Sequence, residues 1–158
     1  MSQRILEGIK VLDLTNVLSG PFTTLHLALL GAEVVKVENP KDGDLARKLG
    51  ILPELNKRLM GTSFIAQNCN KKSITLNTKS APGKAIFLRL AKDADVVVEN
   101  FRPGVMDRLG LGYKVLSGIN PGLVYCAISG FGQTGPDALN PAYDQIIQGL
   151  SGVMDVNG

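Results

Sequence analysis

The run Val11-Leu12-Asp13-Leu14-Thr15-Asn16-Val17-Leu18-Ser19-Gly20-Pro21 begins as a short apolar segment, opens into small polar residues and closes on Gly-Pro. An apolar helical pattern follows over Phe22 to Leu30, with Gly31 after it. This order describes a buried strand, a tight loop and a helix, with proline in the first turn and glycine past the last, where each is best tolerated. The loop falls at the carboxyl end of the strand, where open α/β sheets bind their ligands. Alone, the pattern is neither G-x-G-x-x-G nor a Walker loop. Its weight comes from recurrence, because three further strand ends carry similar polar loops.

Outward from this unit, Glu33 to Glu38 reads as a second strand, and Asn39-Pro40-Lys41-Asp42-Gly43-Asp44 as its exit loop. Two strands joined by a helix of this length form a right-handed parallel βαβ unit. Leu45 to Met60 reads as one or two short helices broken at Pro53. Ser73 to Leu76 alternates like a strand and exits through Asn77-Thr78-Lys79-Ser80. Ser80 then caps a helix over Ala81 to Ala91, with Pro82 in its first turn and Ile86, Phe87, Leu90 and Ala91 on one face. Asp95-Val96-Val97-Val98, rich in β-branched residues, is the clearest buried strand. It exits through Glu99-Asn100-Phe101-Arg102-Pro103-Gly104, and short helices follow over Val105 to Leu109 and Lys114 to Ile119. Leu123 to Ile128 is the last strand, followed by the loop Ser129 to Pro136. Helical spacing of Ile146, Ile147, Leu150, Val153 and Met154 predicts one helix over Tyr143 to Met154.

The alternation argues for a Rossmann-like, doubly wound α/β fold with a mainly parallel sheet of about five strands. Its polar exit loops then gather along one rim Asn16, Ser19, Asn39, Asn77, Lys79, Asn100, Phe101, Arg102 and Arg108. Amides, hydroxyls, cations and helix starts together suit an anionic, nucleotide-like ligand.

Composition narrows the class. The chain has 158 residues, 44% hydrophobic and 20% charged, with 18 glycines and no tryptophan. A chain of this size buries ~70% of its unfolded surface, enough for one domain with a real core. The net charge of +3 and scattered cations do not mark a nucleic-acid surface. Thr15 to Ala32 has no formally charged residue, but Pro21, two glycines and His26 favour a loop and buried helix over a membrane span. Two distant cysteines, Cys69 and Cys126, and a first ten residues without an apolar leader core point to a reducing, cytoplasmic setting, or an organelle matrix. No His/Cys set is spaced for a metal.

Several segments together resemble class III coenzyme A transferases, the formyl-CoA transferase and carnitine CoA-transferase group. They are Gly8-Ile9-Lys10-Val11-Leu12-Asp13-Leu14, Ser19-Gly20-Pro21 and Leu30-Gly31-Ala32-Glu33-Val34-Val35-Lys36-Val37-Glu38. After them come Asn68-Cys69-Asn70-Lys71-Lys72-Ser73-Ile74, Ala94-Asp95-Val96-Val97-Val98-Glu99-Asn100-Phe101-Arg102-Pro103-Gly104, Ile128-Ser129-Gly130-Phe131-Gly132, Ala142-Tyr143-Asp144 and Ser151-Gly152. In order and at matching separations, they are specific as a set and run nearly the length of the chain.

The resemblance implies a mechanism and a site. An aspartate carboxylate attacks an acyl-CoA thioester and passes through a mixed anhydride to an aspartyl-CoA thioester, from which CoA moves to an acceptor carboxylate. The developing oxyanion needs amide donors. By position, Leu18 and Ser19 line the CoA, Asn39 sits near its ribose phosphate, and Leu76, Asn77, Thr78 and Lys79 border the adenine. Asn100, Phe101, Arg102 and Arg108 hold the pantetheine and diphosphate, while Tyr143 and Asp144 lie beside the thioester as accessory catalytic residues. Acyl-CoA is then a substrate rather than a resident cofactor, and a carboxylic acid is its partner. Asn39 and Pro141 stand where family members carry basic residues, so those two phosphate contacts depart from the pattern.

The family's nucleophilic aspartate falls in a segment after Ser151-Gly152, beyond Gly158. The chain is therefore expected to be the amino-terminal, CoA-binding part of a large domain and inactive alone. Family members form interlocked homodimers, and the isolated part is expected to expose apolar surface and to associate. Two other readings stand beside this one: part of an α-methylacyl-CoA racemase, and a non-catalytic CoA- or nucleotide-binding module. Tyr143 weighs against the racemase, whose members tend to carry a histidine base there.

Plainer roles compete at single residues. Asp144 reads equally as an acid in a helix's first turn. His26 reads as a core histidine, Asp13 as a structural acid bonded to nearby backbone, Lys71-Lys72 as a solvated turn, and both cysteines as buried small side chains.

Overall fold

The computed structural model describes residues 4–158, so the leader reading over 1–10 lies partly outside the described residues. Five strands form one sheet, β1 (Lys10–Asp13), β2 (Glu33–Glu38), β3 (Lys72–Thr75), β4 (Val96–Glu99) and β5 (Val124–Ala127). Their order is β3-β2-β1-β4-β5, with every neighbouring pair parallel. Parallel strands need crossover connections, and the helices supply them. They are α1 (Ser19–Leu29), α2 (Pro53–Lys57), α3 (Thr62–Asn68), α4 (Ala81–Lys92), α5 (Val105–Leu109), α6 (Tyr113–Ile119), α7 (Asp144–Leu150) and α8 (Val153–Asn157). A 3-10 turn spans Leu45–Lys48.

The period-2 alternation of the strands sorts the core into two layers. Leu12, Leu14, Val37 and Val97 pack with Phe87, Ala91, Met106, Leu111 and Leu116 of the α4–α6 side. Val11, Val34 and Val98 pack with Ala28 and Ala32 at α1. The expected doubly wound α/β fold is therefore present, with the entire sheet parallel. Ser80 caps α4 as read, its hydroxyl accepting from the Gly83 N–H at 3.2 Å.

Three local readings are corrected. The single helix over Tyr143 to Met154 is two, because Gly152 turns left-handed (φ +79°) between α7 and α8. Pro53 opens α2 instead of breaking a helix, since a first-turn proline sacrifices no hydrogen bond. Ile86 is 44% exposed, and the buried ridge of α4 is Gly83, Phe87 and Ala91. Among the described residues no helix is long and apolar enough to cross a membrane.

Candidate functional site

Because β2 and β4 flank β1, the chain leaves the sheet in opposite directions from β1 and β4. The crevice beyond their carboxyl ends is the topological switch point of the fold. The two exit loops meet there. Asn100 accepts from the Asn16 N–H at 2.8 Å and donates back to the Asn16 carbonyl at 2.8 Å, and its amide also lies 3.5 Å from the Ser19 hydroxyl. Three sequence-selected residues, 84 positions apart at the extremes, are thus one constellation. Beside it α1 begins with no side chain capping it. The first N–H groups of a helix lack intrahelical acceptors and favour anionic groups. Gly20 permits this start, since a Cβ there would lie 2.2 Å from the Thr15 side chain.

The other selected residues lie along the same carboxyl edge, which spans about 19 Å over four inter-strand spacings. Leu18, Ser19, Asn39, Asn77, Lys79, Arg102 and Arg108 are exposed, while Leu76, Thr78, Asn100 and Phe101 are half-buried. Asn39 and Asn77 shape their own turns, accepting from the N–H groups of Lys41 and Lys79 at 2.9 and 3.1 Å. Arg108 folds back over its helix start, where a Cβ on Gly104 would lie 3.0 Å from its Nη1. Tyr143 and Asp144 are exposed at the start of α7, and among the described residues no hydrogen bond or ion pair joins them to the Asn16–Asn100 pair. Asp144 accepts from Gln148 within its own helix at 2.6 Å, the arrangement of a first-turn acid.

Beneath the rim, on the α1 side of the sheet, lies a buried ionic layer that the residue pattern did not disclose. Asp13 accepts from the Thr15 N–H at 2.9 Å, from the Thr15 and Thr24 hydroxyls, and from Lys71 Nζ at 3.1 Å. Lys71, expected in a solvated turn, has a side chain only 1% exposed. It also donates to the Pro21 carbonyl, Thr24 and Asn68, which ties the start of α1 to α3. Burial lowers its pKa, and the Asp13 charge only partly restores it. Lys36 and Asp44 form a second buried pair at 2.9 Å. Glu38 completes the layer, with Arg47 on both carboxylate oxygens at 2.6 and 2.7 Å and the guanidinium 3.8 Å above the Phe64 ring. Asp13 is therefore bonded mainly to side chains, not only to nearby backbone.

Two further expectations fail. His26 is exposed and meets Phe22 edge-on at 4.5 Å, on a stretch that also leaves Leu29 and Leu30 exposed. Cys69 is exposed; only Cys126 is half-buried, and burial pushes its thiol pKa up.

Two concavities are present besides the switch-point crevice. A cavity of about 380 Å³ between β4, β5 and the α5–α6 turn is lined by Glu99, Asp107, Tyr113, Tyr125 and Gln133. Burial and the neighbouring Asp107 raise the Glu99 pKa against the opposing Phe101 N–H and Tyr125 hydroxyl. Its acidic wall disfavours a phosphorylated ligand. The second, about 440 Å³, runs along the amino half of β1 and β2 beside α4. The first abuts the rim at Gly104, and the second lies at the opposite end of β1 and β2.

Comparison with known proteins gives a consistent picture. The CoA-transferase family III profile matches residues 6–158. An acetyl-CoA:oxalate CoA-transferase of Acetobacter aceti is 51% identical over 96% of this chain and 38% of its own length. A succinyl-CoA:glutarate CoA-transferase of Mus musculus is 46% identical over 99% of this chain and 35% of its own. Among solved structures, a CAIB/BAIF family protein from Brucella suis superposes with a TM-score of 0.87 at 41% identity, over 98% of this chain and 41% of its own. A hypothetical protein from Mycobacterium tuberculosis gives 0.86 at 40%, over 96% and 41%. The chain thus spans well under half the length of these relatives. On the profile match and these identities, the chain belongs to CoA-transferase family III.

Proposed function

We propose that these 158 residues form the CoA-binding, amino-terminal part of an acyl-CoA:carboxylate CoA-transferase. The observation that carries this is the Asn16–Asn100 exchange at the switch point, beside the uncapped start of α1. An extended phosphorylated thiol carrier suits an open rim of amides and cations better than a closed hole. Leu18 and Ser19 would line the carrier near its reactive end. Asn100, Phe101, Arg102 and Arg108 would hold pantetheine and diphosphate, Leu76 to Lys79 the adenine, and Asn39 the ribose phosphate. Tyr143 and Asp144 would flank the thioester. Relatives named for oxalate and glutarate point to dicarboxylates as the acceptor class.

Transfer through an aspartyl-CoA thioester draws its nucleophile from outside these residues, so this part alone binds CoA without turnover. Exposed Leu150, Val153, Met154 and Val156 on α7 and α8 favour burial against further polypeptide, in a homodimer as the resemblance implies. Tyr143 in place of a histidine favours transfer over racemisation.

Calorimetric titration with free CoA tests the reading. Saturable binding is expected, weakened at least tenfold by Asn100→Ala and by the Arg102→Ala/Arg108→Ala pair. Equal affinity in all three folded proteins would contradict the assignment.

A further inference from the structure

Val17 lies in the loop between β1 and α1 with a φ of +68°. A β-branched residue in that region is strained, and such strain persists only where the surroundings over-determine it. Two groups do so here. Lys36 Nζ donates to the Thr15 carbonyl at 2.7 Å, and Asp44 Oδ1 accepts from the Val17 N–H at 3.0 Å. Lys36 and Asp44 are themselves paired at 2.9 Å, with side chains 1% and 0% exposed. Asp44 is anchored in turn, because its Oδ1 accepts from the Ala46 N–H and its own N–H donates to Glu38. One buried ion pair therefore grips the loop on both sides of Asn16, from below the sheet edge.

We propose that Lys36 and Asp44 are positioning residues for the ligand-binding loop. They hold Val17 left-handed, and so fix where Leu18, Ser19 and the first N–H groups of α1 meet the thiol carrier. The pair touches no ligand itself. It acts by lowering the ordering cost that the loop would otherwise bear on binding. The consequence for CoA rests on the rim being the CoA site, whereas the consequence for loop order does not.

The test uses the whole chain and two readouts, amide hydrogen exchange of Val17 and the CoA dissociation constant. Lys36→Met/Asp44→Leu removes both charges together, so no orphaned ion is left in the interior. Exchange at Val17 should rise at least a hundredfold while Leu12 in β1 stays protected, and CoA should bind about tenfold more weakly. A folded double variant with Val17 still protected and unchanged affinity would overturn the proposal.

If that variant does not fold, Val17→Pro and Val17→Gly decide the matter with both ions left in place. Proline is fixed near −65°, cannot take the observed φ and lacks the N–H from which Asp44 accepts, while glycine takes that φ freely and keeps the N–H. Val17→Gly should bind CoA at least fivefold more tightly than Val17→Pro, and equal affinities would refute the role of the left-handed loop. Should the unaltered chain, shown to be folded, not bind CoA, the functional reading fails. Val17 exchange in the double variant still decides the clamp.

Discussion

Replacing Glu38 by glutamine removes one charge from the buried layer under the rim, and its cost depends on pH in a way the structure specifies. Glu38 ends β2 at 5% exposure. Its carboxylate accepts from Arg47 Nε and Nη2 at 2.7 and 2.6 Å, from the Asp44 N–H at 3.0 Å and from the Ser73 hydroxyl. Burial opposes its charge, but Arg47, Ser73 and the Asp44 amide prevail and hold its pKa at about 2, against an ordinary 4.5. The folded value lies below the unfolded one, so the stabilisation is fully present above about 4.5 and is lost as pH falls toward 2. A depression of that size corresponds to on the order of 3 kcal/mol.

Glu38→Gln should therefore cost about 3 kcal/mol near neutral pH, and the gap should narrow to roughly 1 kcal/mol near pH 3. Urea unfolding of both proteins, followed by circular dichroism from about pH 7 to about pH 3, measures it. Other carboxylates titrate alike in the two proteins and drop out of the difference. A gap that stays constant, or widens with acid, would refute the reasoning.

Other consequences are more compact. Lys71→Met leaves the Asp13 carboxylate buried without a cation and should cost about 3–5 kcal/mol, while adding Asp13→Asn should recover part of it; a loss below about 1 kcal/mol in the single variant would contradict the buried pair. A thiol reagent should label Cys69 rapidly and Cys126 slowly, because only the latter is half-buried with a raised pKa; equal rates would count against that burial. The apolar residues exposed on α7 and α8 should make the isolated chain associate, and sedimentation of a stable, compact monomer would argue against that face being an interface.

The legibility of the chain divides along a physical line. Strands of a parallel sheet are buried on both faces, so Val96-Val97-Val98 stands out as an unbroken apolar run. Helix punctuation is equally local, as at Ser80 and Pro82 of α4. Each exit loop could be found by its own residues and assigned to one rim by topology. The pairing of Asn16 with Asn100 could not, because it depends on how two loops approach across the switch point.

The buried ions were hidden for the same reason. Lys36 within Val-Val-Lys-Val-Glu looks like a solvent-facing position, and only the crossing of Asp44 above it closes the pair. Lys71 in Asn-Lys-Lys looks like a surface turn until Asp13, 58 residues earlier, is seen beneath α1. His26 failed in the opposite direction, since leucine neighbours suggest burial only when another element covers them. A charged residue in an apolar run, followed by an acid in the next loop, is the signal that could have pointed to the layer.

The most direct test of the central claim is to map which backbone amides shift when free CoA is titrated into the isotopically labelled chain. The carboxyl-edge account expects the largest changes at Asn16 to Gly20 and Asn100 to Arg102, extending toward Leu76 to Lys79. Saturable shifts confined to the acid-lined cavity around Glu99 and Tyr125, or to the amino half of β1 and β2 beside α4, would contradict it.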